Sequence, residues 1–450
     1  MEKQLIDFIE KYNIAAPRYT SYPTVPHWDT ASWTTEAWIS AVQRTAVESA
    51  GEVSLYIHLP YCERLCTYCG CNTRITRNHR VELPYIESVI NEWRLYLAKL
   101  SIKPKVVDLH LGGGTPTFFS PENLDYLIKS ILREASVSKD ATFSFEAHPA
   151  NTTREHLEVL FALGFRRLSL GIQDFDLEVQ RIINRKQSPD DVIRVMQEAR
   201  QIGYTSINFD LIYGLPKQTL ASITDSIRQA IAMRPDRIAF YSYAHVPWIK
   251  PGQRLYTEND LPSDEAKLAF YYAGKEMIVN AGYLDIGMDH FAFPTDRLAL
   301  AAMEGKLHRN FMGYTDVKPP LLLGLGVSSI SDAGTAYAQN VKSVEEYRAL
   351  LEKDEFPLCK GHIQTSSDMR VKKQILHIMC DGKLPLSEFQ LSAEVLKRLE
   401  PLISDGFVLL EPQQLKVTAL GRSFLRIICM AFDERYHGSE VDRPLFSKAV

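Results

Sequence analysis

The stretch V-S-L-Y-I-H-L-P-Y-C-E-R-L-C-T-Y-C-G-C, Val53 to Cys71, joins two signals that decide how this chain is read. Its first part, Val53 to Pro60, is rich in apolar and β-branched residues and predicts a buried strand. Its second part sets Cys62, Cys66, Cys69 and Cys71 close together, while Cys359, Cys380 and Cys429 are scattered far away. Four readings of such a thiol-dense loop compete. Disulfides fit poorly, because the start M-E-K-Q-L-I-D lacks the apolar region of a secretory signal and large intracellular enzymes keep thiols reduced. A structural zinc site pairs two knuckles across a spacer, whereas this is one compact group. Packing alone gives thiols no reason to cluster. An iron–sulfur cluster does, since thiolates are its standard ligands.

Outward from this loop the chain alternates strand and helix. Strands are expected at 105–114, 141–149, 166–174, 206–216 and 237–245. Helices are expected at 84–100, after Ser120-Pro121, after a capping box of Thr152 with Glu155, after Ser188-Pro189, at 219–232 and at 263–281. Apolar strands in strict alternation with helices predict an α/β fold with a parallel sheet or barrel. Parallel barrels carry their active sites at the C-terminal strand ends. The cysteine loop follows the first strand, and Gly112-Gly113-Gly114 with Thr115 ends the second. Glu146 and Gln173 lie late in the third and fourth, Asp210 lies in the second half of the fifth, and Tyr243, Ala244 and His245 close the sixth. The glycine run is not G-x-G-x-x-G, so a dinucleotide site is a weak reading; its use is close backbone approach to a ligand.

The flanks read differently. Residues 1–50 hold a short amphipathic stretch, Leu5 to Tyr12, then P-R-Y-T-S-Y-P-T-V-P, Pro17 to Pro26, which is extended and is either a solvated linker or packed through its tyrosines. A helix is expected at 32–49. The basic run Arg74, Arg77, His79, Arg80 reads as a solvated face. Past the barrel, M-D-H-F-A (288–292) and H-R-N-F-M-G-Y-T (308–315) are dense in polar and aromatic residues, and 321–330 is a glycine-broken apolar strand. His308, Arg309, Asn310 and Tyr314 suit an anionic ligand with a flat ring system. The pattern shifts near 355, giving expected units at 1–50, 51–355 and 356–450. The last reads as helices around a hairpin at 407–418 with a helix from Leu420 to Ala431, a winged-helix-like module. A net charge of −4 over 450 residues and no basic recognition face argue against nucleic acid. No run long and apolar enough for a membrane span occurs, and a cytoplasmic monomer is expected.

The C-x3-C-x2-C spacing places three thiolates where they can hold three corners of a four-iron cube and leave one iron open; Cys71 sits too close behind Cys69 to reach the fourth corner. This spacing resembles the radical S-adenosylmethionine superfamily, in which the open iron binds S-adenosylmethionine and an electron from the cluster releases a 5′-deoxyadenosyl radical. Nearly the whole chain further resembles the oxygen-independent coproporphyrinogen III oxidase family. The resemblance is carried by P-R-Y-T-S-Y-P-T at the start, C-x3-C-x2-C-x-C at 62–71, G-G-G-T-P-T at 112–117 and G-I-Q-D-F at 171–175. N-R at 184–185, N-F-D-L-I-Y-G-L-P at 208–216, Y-A-H at 243–245, G-M-D-H-F at 287–291 and H-R-N-F-M-G-Y-T at 308–315 extend it.

That resemblance implies a partial (βα)6 TIM-like barrel with an N-terminal extension and a smaller helical C-terminal domain. It implies a [4Fe-4S] cluster on Cys62, Cys66 and Cys69, with Cys71 the family's non-ligating extra cysteine, and two S-adenosylmethionine molecules. Tyr56, Gly113, Glu146 and Ile330 would contact the cluster-bound one, with Tyr56 and Glu146 assigned as catalytic. Tyr68, Gly114, Thr115, Gln173, Arg185, Asp210 and Ala244 would contact the second. The implied reaction converts two propionates of coproporphyrinogen III to vinyls, with an electron donor and an electron acceptor as partners. Arg18 and Arg309 are candidates for holding the other propionates. Some family members carry glutamine where this chain has Met312, and a thioether cannot replace the amide's hydrogen bonds. The alternatives are a haem chaperone of the same superfamily, which usually lacks the extra cysteine and the N-terminal tyrosine segment, and an anaerobic haem-degrading methyltransferase.

Overall fold

In the computed structural model of the protein, residues 7–8, 11–438 and 446–448 are described. Six strands run parallel and sit side by side in chain order: β1 (Glu52–Leu59), β2 (Lys105–Gly113), β3 (Ser136–Ala147), β4 (Phe165–Gln173), β5 (Ser206–Tyr213) and β6 (Arg237–Ser242). Beyond β6 the sheet is continued by β7 (Leu284–Gly287) and β8 (His290–Ala292), with β8 antiparallel to β6. On the other side, β9 (Leu322–Leu325) lies parallel to β1, and β10 (Ile330–Asp332), β11 (Ala336–Asn340) and β12 (Leu358–Ile363) follow antiparallel. This is the α/β partial barrel expected, with the glycine-broken stretch at 321–330 supplying β9 and the start of β10.

Period-two alternation sorts the side chains of the six strands. Leu55, Ile57, Leu109, Leu111, Phe143, Phe145, Leu168, Leu170, Ile207, Phe209, Ile238 and Phe240 are buried in the main core. The alternate positions are polar and line the barrel interior. Register sets Tyr56 beside His110, His110 beside Ser144 and Ser144 beside Arg167. It likewise sets Glu146 beside Ser169, Ser169 beside Asn208 and Gly171 beside Asp210. The interior is therefore not the aliphatic packing usual in closed barrels but a chamber of about 170 Å³ lined by His110, Arg167, Asn208, Arg237 and their neighbours. Its floor is neutralised by ion pairs. Arg167 pairs with Asp316 at 3.0 Å and Asp108 at 3.5 Å, Arg237 with Asp296 at 2.7 Å, and Arg297 with Asp316 at 2.8 Å.

Helix starts follow their capping residues. Ser120, Ser188, Thr219 and Ser263 each cap the helix behind them. The box expected from Thr152 and Glu155 is formed one residue later: Thr153 caps Arg154–Ala162, its hydroxyl accepting from His156 N–H, and the His156 ring takes the return bond. Thr152 instead donates to the His148 carbonyl at 2.9 Å, so the neighbouring hydroxyl is free to turn onto the helix end.

Pro17–Pro26 is packed, not solvated. Tyr19 and Tyr22 are each 2% exposed, and the Tyr19 hydroxyl donates to Asp433 at 3.0 Å. Trp28 stacks on Tyr337 with centroids 5.4 Å apart, and Phe8 meets Phe407 edge-on at 5.0 Å. Of the stretch Leu5 to Tyr12, residues 5, 6, 9 and 10 lie outside the described residues; Phe8 and Tyr12 join a second core shared with residues from Val371 to Phe432. Strand β12 lies past the boundary expected at 355, yet it pairs with β11, so the large sheet runs through residue 363. In the module that follows, a strand not anticipated, Lys383–Pro385, joins Val408–Leu410 and Gln414–Val417 in a three-stranded sheet. The helix expected at 420–431 is a 3₁₀ turn, Gly421–Phe424, followed by an α-helix, Leu425–Met430. Among the described residues no helix is long and apolar enough to cross a membrane.

Candidate active site

The cysteine loop leaves β1 at Pro60 and is clasped at its base. Arg74 N–H donates to Pro60 O at 2.8 Å and Thr76 N–H to Cys62 O at 2.9 Å. Inside the loop Cys69 N–H turns back to Cys66 O at 3.1 Å. Two further bonds tie it to the β4 connection: Thr67 N–H to Ile183 O at 3.0 Å, and Asn184 Nδ2 to Leu65 O at 2.8 Å. Cys62, Cys66 and Cys69 are half-buried and Cys71 is exposed. Cys62 Sγ lies 3.3 Å from Thr115 Oγ1, Cys66 Sγ lies 3.7 Å from the Arg185 guanidinium, and Cys69 Sγ accepts from Cys71 N–H at 3.4 Å. Cys66 and Cys69 thus each face an N–H donor and Cys62 a hydroxyl that can turn to donate, a surrounding that suits separate thiolates on separate irons. The Arg185 cation offsets the negative charge that thiolate ligation brings. The donor set fits a cluster.

The loop forms one wall of a cavity of about 810 Å³ whose other walls are the C-terminal ends of the strands. Gly113 and Gly114 are required there. Gly113 has φ +119°, and a Cβ on it would stand 2.9 Å from the His58 ring; one on Gly114 would stand 2.6 Å from Pro60 O. Glu146 rises beside them, its Oε2 accepting from Gly113 N–H at 3.3 Å and its Oε1 lying 3.5 Å from His110 Nε2. Burial works against its charge, yet the His110 ring and the Gly113 N–H hold this carboxyl below its ordinary range. On the facing strand Asp210 accepts from Ser169 at 2.9 Å and Asn208 at 2.8 Å, but burial, with Glu146 adding to it, pushes its pKa up to about 6.

Arg185, 6% exposed, donates to the Gly171 carbonyl, to Gln187 at 3.1 Å and to the Tyr68 hydroxyl at 3.3 Å. A Cβ on Gly171 would meet Gln173 at 2.8 Å and Arg185 at 3.0 Å, so this glycine makes room for both. Gln173 itself has φ +69°, a left-handed conformation at the strand end. Tyr68, Thr115, Gln173, Arg185 and Asp210 all line the cavity, with Glu146 and the three cysteines.

Tyr56, Ala244 and Ile330 are not among the residues that line this cavity. Tyr56 stacks on His110 with centroids 6.0 Å apart, and its hydroxyl meets His58 Nδ1 at 3.0 Å. Burial raises the Tyr56 phenol and lowers the His58 imidazole, so both stay neutral. Ile330 is two strands away from Tyr56, across Gly324. Ala244 is held by Gln253, a residue that sequence reasoning missed. Gln253 is 1% exposed and its amide donates to Tyr68 O at 3.1 Å and Ala244 O at 3.2 Å while accepting from Val246 N–H at 2.6 Å. A lone glutamine in a loop carries no sequence signal. His58 and His110 were also missed, although they alternate with apolar neighbours on β1 and β2.

Of the candidates for anionic groups, Arg18 is paired and Arg309 is partly engaged. Arg18 pairs with Asp289 at 2.6 Å. Arg309 donates to Arg18 O at 3.3 and 3.1 Å and lies 4.7 Å over the Tyr314 ring, with its Nη1 buried and unpartnered. Met312 and Tyr314 line the chamber floor. The basic run is exposed, with Arg74 paired to Glu345 at 2.9 Å.

A thiol loop after the first strand of a partial parallel barrel, facing carboxylates at the other strand ends, defines the radical S-adenosylmethionine class. Residues 56–230 match the model of the Radical SAM superfamily. The comparisons narrow this further. The chain is 39% identical to oxygen-independent coproporphyrinogen III oxidase of Escherichia coli K12, with 100% of each covered, and 37% identical to that of Pseudomonas aeruginosa, with 99% and 98% covered. The solved structure of coproporphyrinogen III oxidase from Escherichia coli, described as a radical SAM enzyme, superposes with a TM-score of 0.89 at 38% identity, covering 95% of this chain and 98% of that one. The chain belongs to the oxygen-independent coproporphyrinogen III oxidase family.

Proposed function

We propose that this chain oxidatively decarboxylates two propionates of coproporphyrinogen III to vinyls, giving protoporphyrinogen IX without oxygen. The observation that carries this is the convergence of Cys62, Cys66 and Cys69 with Glu146, Asp210 and Arg185 on one cavity above a polar chamber. The three cysteines would hold the [4Fe-4S] cluster. With S-adenosylmethionine it would supply the one-electron chemistry that removes a β-hydrogen of a propionate, so that carbon dioxide leaves and one electron passes to an acceptor.

The chain's own residues position the reactants. Glu146, held ionised, accepts from an ammonium or from ribose hydroxyls close to the glycine run, and the missing Cβ atoms of Gly113 and Gly114 let a ligand reach the backbone. Tyr56 stacks on His110, the ring that lies beside the Glu146 carboxylate. For a second S-adenosylmethionine, Arg185 pairs with a carboxylate, Asp210 accepts from hydroxyls, Tyr68 covers an adenine, and Gln173, Thr115 and Ala244 complete the contacts. Gln253 is a positioning residue that fixes Tyr68 against Ala244. In this reading the described residues of the N-terminal segment and of the C-terminal module together cover the barrel, a single chain carries the whole site, and the enzyme works in the cytoplasm.

The test is anaerobic. The cluster-loaded protein is given S-adenosylmethionine, a reductant, an electron-accepting extract and coproporphyrinogen III, and products are weighed by mass spectrometry. Loss of two carbon dioxides with formation of deoxyadenosine and methionine is expected. Deoxyadenosine without porphyrinogen turnover moves the substrate elsewhere. Intact cluster, tight haem binding and no cleavage point to a chaperone.

A further inference from the structure

A second cavity, of about 270 Å³, lies away from the cysteine loop, where three parts of the chain meet. The N-terminal segment contributes Tyr19 to Tyr22, the barrel extension His308 to Asn310, Lys318 to Pro320, Asp332 and Tyr337, and the C-terminal helix Ser366–Leu376 contributes Met369, Lys372 and Lys373. It shares no lining residue with the mouth or with the barrel chamber.

Two of its properties point to a ligand. Its charge is lopsided: Arg309, Lys318, Lys372 and Lys373 line it against one carboxylate, Asp332. Lys372 spends its charge on Asp332 at 2.9 Å and sits 4.7 Å over the Tyr337 ring. Lys318 and Lys373 are exposed. Arg309 is 6% exposed, and its Nη1 is buried without a partner, a donor that an arriving acceptor would satisfy. Tyr22, Tyr337, Pro319, Pro320 and Leu376 give the wall flat and apolar surface, beside the polar Thr20, Ser21 and Asn310. His308 adds no cation, since burial with Lys318 and Lys372 nearby lowers its pKa to about 4.

Size limits the occupant. The cavity holds about nine water volumes at ~30 Å³ each and falls below the ~300–1,000 Å³ of pockets for drug-sized ligands. A whole tetrapyrrole does not fit; a single ring with a carboxylate arm does.

We propose that this cavity is a binding site for a carboxylate carried on one flat ring. The apolar walls take the ring and the lysines with Arg309 take the carboxylate. The chemistry has two sources, one propionate-bearing ring of the bound substrate or a free small aromatic acid.

The experiment titrates a monopyrrole propionate, its neutral methyl ester and benzoate into the cluster-loaded full-length enzyme by calorimetry. Saturable binding of the acids and none of the ester is expected. Lys318→Glu with Lys373→Glu weakens it by about tenfold or more through like-charge repulsion. Binding of the ester as strong as the acid, an unchanged dissociation constant in the double variant, or no binding at millimolar acid overturns the proposal. The lysines are exposed, so the variants fold; Arg309→Lys, which keeps the charge and removes the fork, gives an independent second reading. Steady-state kinetics with the pyrrole acid then separates the sources. Raised KM at unchanged kcat marks an arm of the substrate, and lowered kcat at unchanged KM marks a separate effector. The titration needs no turnover, so its failure leaves the proposed function standing.

Discussion

The mouth and the floor of the barrel are built from the same strands and handle buried charge in opposite ways. At the floor every carboxylate has a guanidinium: Asp108 and Asp316 meet Arg167, Asp316 also meets Arg297, and Asp296 meets Arg237. At the mouth Glu146 and Asp210 stand over the cavity with only neutral donors and an imidazole within hydrogen-bonding reach, while Arg185 is turned to carbonyls, a hydroxyl and a thiol. Charge at the floor is spent on holding the fold. Charge at the mouth is left available, which is the condition for binding a charged cofactor.

The largest expected effect isolates the mouth. Replacing Cys62, Cys66 or Cys69 by alanine abolishes bound iron and deoxyadenosine formation together, while Cys71→Ala retains iron; metal analysis beside the cleavage assay checks both. Thermal unfolding of the metal-free proteins stays close to the parent, because these thiols are half-buried and lie on a loop.

The floor responds in the reverse sense. Asp316→Ala leaves Arg297 without its carboxylate and Arg167 with only the longer contact to Asp108, and lowers stability by about 1–3 kcal/mol. Urea unfolding measures it, and a loss under 1 kcal/mol would erase the contrast drawn between the two ends.

Titration sharpens the contrast next. Asp210 binds its proton more tightly folded, near pH 6, than its ordinary 3.8. Its contribution to stability is therefore fully present below about pH 4 and lost as pH rises through 6, by at most about 3 kcal/mol. Asp210→Asn removes this slope, which melting temperatures between pH 4 and 7 report. A slope unchanged in the variant assigns it to another group.

The smallest effect concerns Gln253. Gln253→Ala leaves Tyr68 O and Ala244 O without their donor and costs about 1–2 kcal/mol of transition-state stabilisation, roughly tenfold in kcat/KM, with iron content unchanged. Gln253→Glu, which keeps the length but loses the amide donors, falls with alanine if donation is what matters.

The order of strands and the position of the cysteine loop could be read from the chain because alternation and thiol spacing are local. The outward faces of β1 to β6 were equally plain. Their inward faces were also there to be read: Tyr56 and His58, His110, Ser144 and Glu146, Ser169, Asn208 and Asp210 alternate strictly with apolar residues. That polar alternation distinguishes a lined chamber from a packed barrel. What could not be read depends on distant partners. Gln253 gains its role only from the loop that folds against it. Arg18 looks like a free cation until Asp289 is placed beside it. Lys383–Pro385 is too short, and ends in proline, to declare itself a strand without its neighbours. Thr152 and Thr153 are chemically equal caps, and only the His156 ring chooses between them.

The bond from Tyr19 to Asp433 has a consequence in time. Its partners are 414 positions apart, and synthesis at about 5–20 residues per second separates their appearance by roughly 20–80 s. For most of that interval the core that the tyrosines of the N-terminal segment join is incomplete, so the first part of the chain to be made is among the last to find its place. A nascent chain arrested before residue 433 presents Tyr19 and Tyr22 to chaperones and proteases, and completion of the last module is what withdraws them.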